Sequence, residues 1–397
     1  MKIDTDSQKI EKLLTRGVQN IYPSREFLEK RLKSGQRLTL YLGIDPTGTD
    51  LHLGHAINFM KLREFQQLGH QVIILIGSFT AMIGDPTDKS ATRKPLTREQ
   101  VLINAKNYKK QAEKILDFTG KNKVEIKFNH KWLDKLDFRQ VIDLASNFTV
   151  QQFLERDMYQ KRMKEGKPIS LHEFLYPLMQ GYDSVAMDVD GEVGGNDQTF
   201  NMLAGRDLMK SLGMKEKFVL TNKLLTDPSG IKMGKSEGNM ITLADSPDDM
   251  FGKVMSWTDG MIIPGFELCT MVESVKLKLF EERLKQGENP RDLKVELAKE
   301  IVEFYFDEDR ADKAEENFVQ MFQKKERPDE IEEKTVSNFN IVDVLIETGL
   351  VISKSEAKRM VEQKAVKIND EIINSVEFEV KSGDVVQKGK RHFVKIK

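Results

Sequence analysis

An α/β fold organised around a parallel sheet is what this sequence predicts, and three stretches predict it. RLTLYLGI, Arg37 to Ile44, reads as a strand that ends in a glycine-containing turn. From about Leu53 to Leu68 the apolar residues Leu53, Ile57, Met60 and Phe65 recur at helical spacing, with Gly69 as the stop. Val72 to Gly77 is a second apolar strand. Strand, helix and strand joined by short turns make a βαβ unit, which requires parallel strands and a right-handed crossover. Ligands of open α/β sheets bind at the carboxyl ends of such strands.

The remaining elements follow in order. Thr97 to Ser170 is mostly helical, with one strand candidate at Val124 to Phe128, and a second α/β stretch runs to about Leu220. Helices dominate beyond Asp245, and Asn289-Pro290 is a good helix start. KKERPDEIEEK, Lys324 to Lys334, is charged, carries a proline and lacks periodicity, so it reads as a linker. The expected boundaries are 1–220 for the sheet domain, 221–323 for a helical domain, 324–335 for the linker and 336–397 for a small α+β unit.

With 397 residues the chain has room for two to three domains. Its formal charge of -1 excludes nothing, since a neutral chain can carry a local basic face. One cysteine, Cys269, rules out an internal disulfide framework and cysteine-built metal sites, and it suits a reducing cytosol. The N-terminus lacks the apolar core of a signal peptide. The most apolar run, Val72 to Gly84, is too short for a bilayer and holds Ser78 and Thr80. A soluble cytoplasmic protein with no membrane partner is expected.

LGIDPTGTDLHLGH, Leu42 to His55, puts two of six histidines three residues apart around a glycine. A metal pair, two core histidines and a phosphate-handling helix start all compete. The helix N-terminus offers free N–H groups and partial positive charge, and Gly54 lets a nucleotide approach. A metal pair lacks an evident third ligand. On HLGH alone the core reading stays open.

GIKMGKSEGN, Gly230 to Asn239, sets Lys232 and Lys235 in a glycine-rich loop. Alone it reads as solvated surface. Together, HLGH and KMGKS resemble the HIGH and KMSKS signatures of class I aminoacyl-tRNA synthetases, with Gly234 in place of the middle serine. Nucleotidyltransferases share an HxGH turn but are shorter and lack the second loop.

In FLYPLMQGYDSV, Tyr176, Gln180 and Asp183 share one helical face, which by itself could be a solvated side. YxxxQGYD resembles the tyrosine-recognition helix of tyrosyl-tRNA synthetases. GGNDQ (Gly194 to Gln198) is similar to their GGSDQ loop, with Asn196 as a departure, and IGDPT brings Asp85. The resemblance implies a Rossmann-like catalytic domain and a set of roles. Tyr41 and Asp183 meet the substrate phenol; Asp85, Tyr176 and Gln180 hold the α-ammonium; Gln198 lies near the carboxylate. Gly195 and Asp197 meet the ribose, and Asp45 and Gly54 complete the ATP-binding set. A carboxylate and hydroxyl left unpaired by phenylalanine reject it, a discrimination for which tyrosyl-tRNA synthetases are themselves the standard illustration. Tryptophanyl enzymes, which should lack that carboxylate, are the near rival.

The resemblance further implies attack of the L-tyrosine carboxylate on the α-phosphorus of ATP. The nucleophile is already ionised, so no general base is needed and cations carry the catalysis. Thr47 and His52 would contact the departing phosphates and His55 the sugar. Lys232 and Lys235 would close over pyrophosphate. Lys89 and Arg93 form a second cationic loop, otherwise readable as a solvated basic turn. Mg2+ accompanies ATP through its phosphates, with no protein ligand assigned and no tightly bound cofactor expected.

At the C-terminal end Ser353 and Glu356 read as a capping box, with Lys354 and Lys358 on one face and Arg359 beside them. Val351 to Lys397 holds eleven Lys or Arg against seven Asp or Glu. This stretch resembles the S4 RNA-binding domain, which implies backbone and shape recognition of tRNA(Tyr). The helical domain would then be the anticodon-side domain. The family is homodimeric through an insertion in the catalytic fold. The opposed reading is an RNA-binding protein derived from a synthetase with catalysis lost, which degraded motif residues would favour.

Overall fold

Six strands form the central sheet: β1 Val18–Tyr22, β2 Thr39–Ile44, β3 Gln71–Ile76, β4 Glu125–Phe128, β5 Gly191–Gly195 and β6 Phe218–Asn222. Their order is β1-β6-β5-β2-β3-β4. The pairs β2–β3, β3–β4, β2–β5 and β5–β6 are parallel, as the βαβ reading requires. From β2 the chain winds one way through β3 and β4, then returns to the other side for β5 and β6. That reversal opens a crevice at the carboxyl ends of β2 and β5, the usual ligand position. The structure, a computed structural model, describes residues 2–86, 96–230, 232, 240–321, 331–389 and 392–397.

The helix Leu53–Gln67 follows β2 and buries Leu53, Ile57, Met60 and Phe65 against the sheet. Gly69 ends its turn with φ +99, where a Cβ would stand 3.2 Å from Ile3. The edge strand β1, antiparallel to β6, was not expected from the sequence. VQNIY has no apolar alternation, and none of its residues is fully buried. After β4 come short helices, among them Phe138–Ala145 and Asp157–Lys164, and then the long helix Leu171–Met187. From residue 247 to residue 319 the elements are helical. Pro290–Tyr305 starts as expected: Asn289 Oδ1 accepts the Arg291 N–H at 3.1 Å.

The chain divides into two compact units, Met1–Asp312 and Lys313–Lys397. The second holds β7 Glu333–Lys334, β8 Val366–Ile368, β9 Glu371–Ile372, β10 Val385–Lys388 and β11 His392–Ile396, in the order β7-β11-β10-β8-β9. Helices Ile341–Glu347 and Lys354–Glu362 contribute Val344, Leu345, Ala357 and Val361 to the core it shares with them. Most of the charged run Lys324 to Lys334 lies outside the described residues, but its end, Glu333–Lys334, is strand β7. The capping at Ser353 differs in one half from the expected box. Ser353 Oγ accepts the Glu356 N–H at 3.2 Å, but the Glu356 carboxylate accepts from Ile352 at 3.1 Å and not from Ser353. Lys354, Lys358 and Arg359 are all exposed, with Lys354 2.9 Å from Asp343.

His70, fully buried between the end of the Leu53–Gln67 helix and β3, gives the fold a pH dependence. Its Nδ1 accepts the Leu38 N–H at 3.2 Å, and burial lowers its pKa from 6.5 to about 4, with the charge of Arg37 adding to the effect. Above pH 6.5 the ring is neutral in both folded and unfolded chains. As pH falls from 6.5 toward 4 the unfolded chain binds a proton that the folded one refuses, so stability is lost, by up to about 3 kcal/mol. Urea unfolding of wild type and His70→Asn at pH 7.5 and 5 checks this. The wild type should lose more over that interval; equal losses would mean that His70 is not the group responsible.

Candidate active site

The nucleotide-side residues are gathered by the helix start and two loops. His52 is the N-cap of Leu53–Gln67: its Nδ1 accepts the Gly54 N–H at 3.1 Å, while His55 Nδ1 accepts the His52 N–H at 3.2 Å. The rings lie 3.9 Å apart between centroids. Since both Nδ1 atoms accept, each neutral ring carries its hydrogen on Nε2. Burial, then the charge of Lys232, lowers His52 to about 4, and burial holds His55 well below its ordinary value. Both are therefore neutral hydrogen-bond donors near pH 7. A Cβ on Gly54 would stand 2.9 Å from the His52 ring, so glycine is needed for this cap.

The stretch that follows the second motif is tied to the first motif by backbone. Leu53 N–H donates to Ile241 O at 3.0 Å, and Leu243 N–H donates to Leu51 O at 2.8 Å, around a bridge between His52 and Thr242. Lys232 is ion-paired with Asp197, which follows Gly195 at the end of β5. A Cβ on Gly195 would stand 2.5 Å from Asp197 Oδ1. Thr47 lies in the turn after β2, its N–H bonded to Asp45 O at 2.8 Å. Lys89, Arg93, Gly234 and Lys235 lie outside the described residues.

The amino-acid side is a connected network. Tyr176 O–H donates to Asp45 Oδ2 at 3.0 Å, and Thr80 donates to Asp45 Oδ1 at 2.7 Å. Asn129 links Thr80, at 3.1 Å, to Asp183 Oδ2, at 3.2 Å, and Trp132 Nε1 donates to Asp183 Oδ1 at 2.7 Å. Asp183 is buried, which pushes its carboxyl well above the usual range, while these two donors pull it back. Tyr41 is fully buried, its hydroxyl 2.9 Å from Ser184 Oγ; burial first, then the charges of Glu192 and Asp183, raise its pKa. Gln180 donates to Glu192 Oε1 at 3.0 Å, and Gln198 to Asp85 Oδ2 at 2.7 Å. The face carrying Tyr176, Gln180 and Asp183 is thus turned inward and not solvated.

A family model for class I tRNA synthetases (W and Y) matches residues 33–323, and one for the S4 domain matches residues 341–386. The chain is 47% identical over 390 residues to the tyrosine–tRNA ligase of Thermotoga maritima, covering 97% of this chain and 96% of that one. This chain belongs to the tyrosine–tRNA ligases. A second member, from Mannheimia succiniciproducens, is 47% identical over 386 residues, 96% of this chain and 97% of the relative. The fold matches a C-terminally truncated mitochondrial tyrosyl-tRNA synthetase of Aspergillus nidulans at a TM-score of 0.64, with 24% identity over 79% of this chain and 94% of that one. The tryptophanyl alternative is set aside by these relatives.

For a tyrosine–tRNA ligase the site has residues that sequence reading passed over. Asn129 and Trp132 flank Asp183, Thr80 braces Asp45, and Ser184 touches Tyr41. Asn129 immediately follows a strand read from the sequence, so its place at a carboxyl end was the available signal. Asp45, assigned only to the ATP side, is also the acceptor for Tyr176. Among the described residues no three His, Cys, Asp or Glu are grouped to hold a metal ion. No helix among them is long and apolar enough to cross a membrane.

Proposed function

We propose that this chain activates L-tyrosine with ATP to tyrosyl-adenylate and transfers tyrosine to the 3′-terminal adenosine of tRNA(Tyr). The observation that carries the amino-acid choice is Asp183, a buried carboxyl oriented by Trp132 and Asn129, whose charge acts on the Tyr41 hydroxyl. An acceptor and a donor both buried from water suit a phenol, and phenylalanine's ring can use neither.

In the first step a tyrosine carboxylate oxygen bonds to the α-phosphorus, and the bond from that phosphorus to the bridging oxygen breaks, releasing pyrophosphate. Charge grows on the departing phosphates. Neutral His52, through its Nε2–H, and Thr47 donate to them, and Lys232 and Lys235 neutralise them, with Lys89 and Arg93 closing from a second loop. His55, Gly54, Gly195, Asp197 and Asp45 seat the nucleoside. Asp85, Tyr176 and Gln180 hold the ammonium, and Gln198 sits by the carboxylate. Mg2+ enters as part of the substrate on the ATP phosphates. The adenylate then acylates the tRNA.

Residues 1–220 serve as the catalytic domain with its insertion, 221–323 as the lysine loop and anticodon-side helices, 324–332 as linker and 333–397, which includes strand β7, as the RNA-gripping unit, where Lys354, Lys358 and Arg359 face the tRNA backbone. The partner in a homodimer is a second copy docking on the insertion. Its helix Phe138–Ala145 has no buried residue, and Phe138 and Leu171 remain 81% and 79% exposed. The buried single cysteine and the family agree with a cytoplasmic location.

ATP–pyrophosphate exchange run separately with tyrosine, phenylalanine and tryptophan tests the reading. Exchange with tyrosine alone supports it. Exchange with tryptophan alone overturns the role of Asp183, and none from folded protein returns the RNA-binding alternative.

A further inference from the structure

Lys217 has no part in the chemistry above, yet its side chain is fully buried. A buried ammonium is costly unless its hydrogens are all used. Here they are. One goes to Glu192 Oε2, one to Ser184 Oγ at 2.7 Å and one to the Met202 carbonyl at 3.1 Å. Gly205 makes the space: a Cβ there would stand 2.7 Å from the ammonium and 2.8 Å from Ser184 Oγ.

The position of this ion pair links both ends of the amino-acid pocket. Glu192 on β5 is the register partner of Tyr41 on β2, and its second oxygen, Oε1, accepts the Gln180 amide at 3.0 Å. Ser184 lies one turn beyond Gln180 on the same helix and 2.9 Å from the Tyr41 hydroxyl. By distance alone either hydroxyl can be the donor, and Lys217 favours the serine. An ammonium has no lone pair and can only donate. Ser184 Oγ must accept from it, which polarises the serine O–H and makes it the better donor. With the serine hydrogen on the tyrosine oxygen, the hydrogen of Tyr41 faces the Glu192 carboxylate, from which an entering phenol oxygen can take it.

We propose that Lys217 is a positioning residue for amino-acid selection: through Ser184 it turns the Tyr41 hydrogen toward the substrate's phenol oxygen, and through Glu192 it holds the Gln180 amide. This rests on the tyrosine-binding reading of Tyr41 and Gln180. The chain of donors runs from Lys217 to Ser184 to Tyr41 to the phenol oxygen, and the phenol hydrogen goes on to Asp183. Phenylalanine leaves the Tyr41 hydrogen on Glu192 and gains nothing from this chain.

Ser184→Ala cuts the chain while leaving the Lys217–Glu192 pair in place. In ATP–pyrophosphate exchange its kcat/KM for tyrosine should fall about tenfold, the worth of one hydrogen bond, with the phenylalanine value and the KM for ATP unchanged. In a Tyr41→Phe background Ser184→Ala should cost nothing more, because the two residues act in series. If Ser184→Ala does not fold, the paired change Lys217→Met with Glu192→Gln replaces the ion pair by neutral groups and should narrow the tyrosine-to-phenylalanine ratio likewise. Equal losses for both amino acids, or additive losses with Tyr41→Phe, would reduce the network to a packing role and overturn the inference. A wild type that exchanges with tyrosine and variants with an unchanged ratio overturn it alone; a wild type without tyrosine exchange overturns the functional reading and this inference together.

Discussion

Asp183→Asn should lower kcat/KM for tyrosine by about a hundredfold, from one charge-assisted hydrogen bond lost and one buried donor left unpaired, while the KM for ATP stays unchanged. A carboxylate accepts at both oxygens and keeps lone pairs to spare. At Asp183 one oxygen takes the Trp132 hydrogen and the other the Asn129 hydrogen, and the remaining lone pairs are available to a phenol. An asparagine offers one oxygen only. Its amide nitrogen must face Trp132 or Asn129, donor against donor, at a buried position. The side chain then turns or the pocket shifts, and the phenol hydrogen loses its acceptor. Phenylalanine, which never used that acceptor, should lose far less, so selectivity falls with affinity. Steady-state exchange kinetics for both substrates decide the matter. Equal loss for tyrosine and ATP would place Asp183 in the scaffold and not in the pocket.

Lys232→Ala should slow adenylate formation by roughly a hundredfold to a thousandfold, the range seen when one preorganised partner of developing charge is removed. Lys232 is ion-paired with Asp197, and its charge also reaches His52, whose pKa it depresses. It therefore stands between the expected ribose ligand and the expected phosphate donor. No such charge is needed to bind the amino acid, so the dissociation constant for tyrosine should hardly move. Single-turnover measurement of adenylate formation, beside equilibrium binding of tyrosine, separates the two. A tyrosine dissociation constant rising in step with the lost rate would contradict this placement. Lys235→Ala should behave in the same way.

What the sequence made legible was whatever is written locally. The apolar stripe of Leu53, Ile57, Met60 and Phe65 announces a helix because every fourth residue meets the same sheet face. The β2 and β3 runs read as strands because both their faces are covered. Asn289-Pro290 states a helix start in two residues. What stayed hidden depends on partners distant in the chain. Lys217, in MKEKF, looks like any surface lysine until Glu192 and Ser184 fold onto it. His52 is an N-cap, although histidine is not among the preferred capping residues, because its Nδ1 can stand in for a hydroxyl or carboxylate oxygen. Trp132 carried no signal at all beside Asp183, being separated from it by three helices. Strand β1 escaped because none of its residues is fully buried, so its pairing with β6 leaves no apolar pattern to read.

The backbone stitch between Leu51–Leu53 and Ile241–Leu243 also bears on when the site comes into being. Both histidines leave the ribosome early, at the start of the helix Leu53–Gln67. The stretch that seats their helix start is translated only after β6 and the lysine loop. A nascent chain halted before Ile241 therefore presents HLGH without its backing, and nucleotide capture must await most of the first unit. The order of synthesis thus withholds the active site until the residues that complete it are at hand.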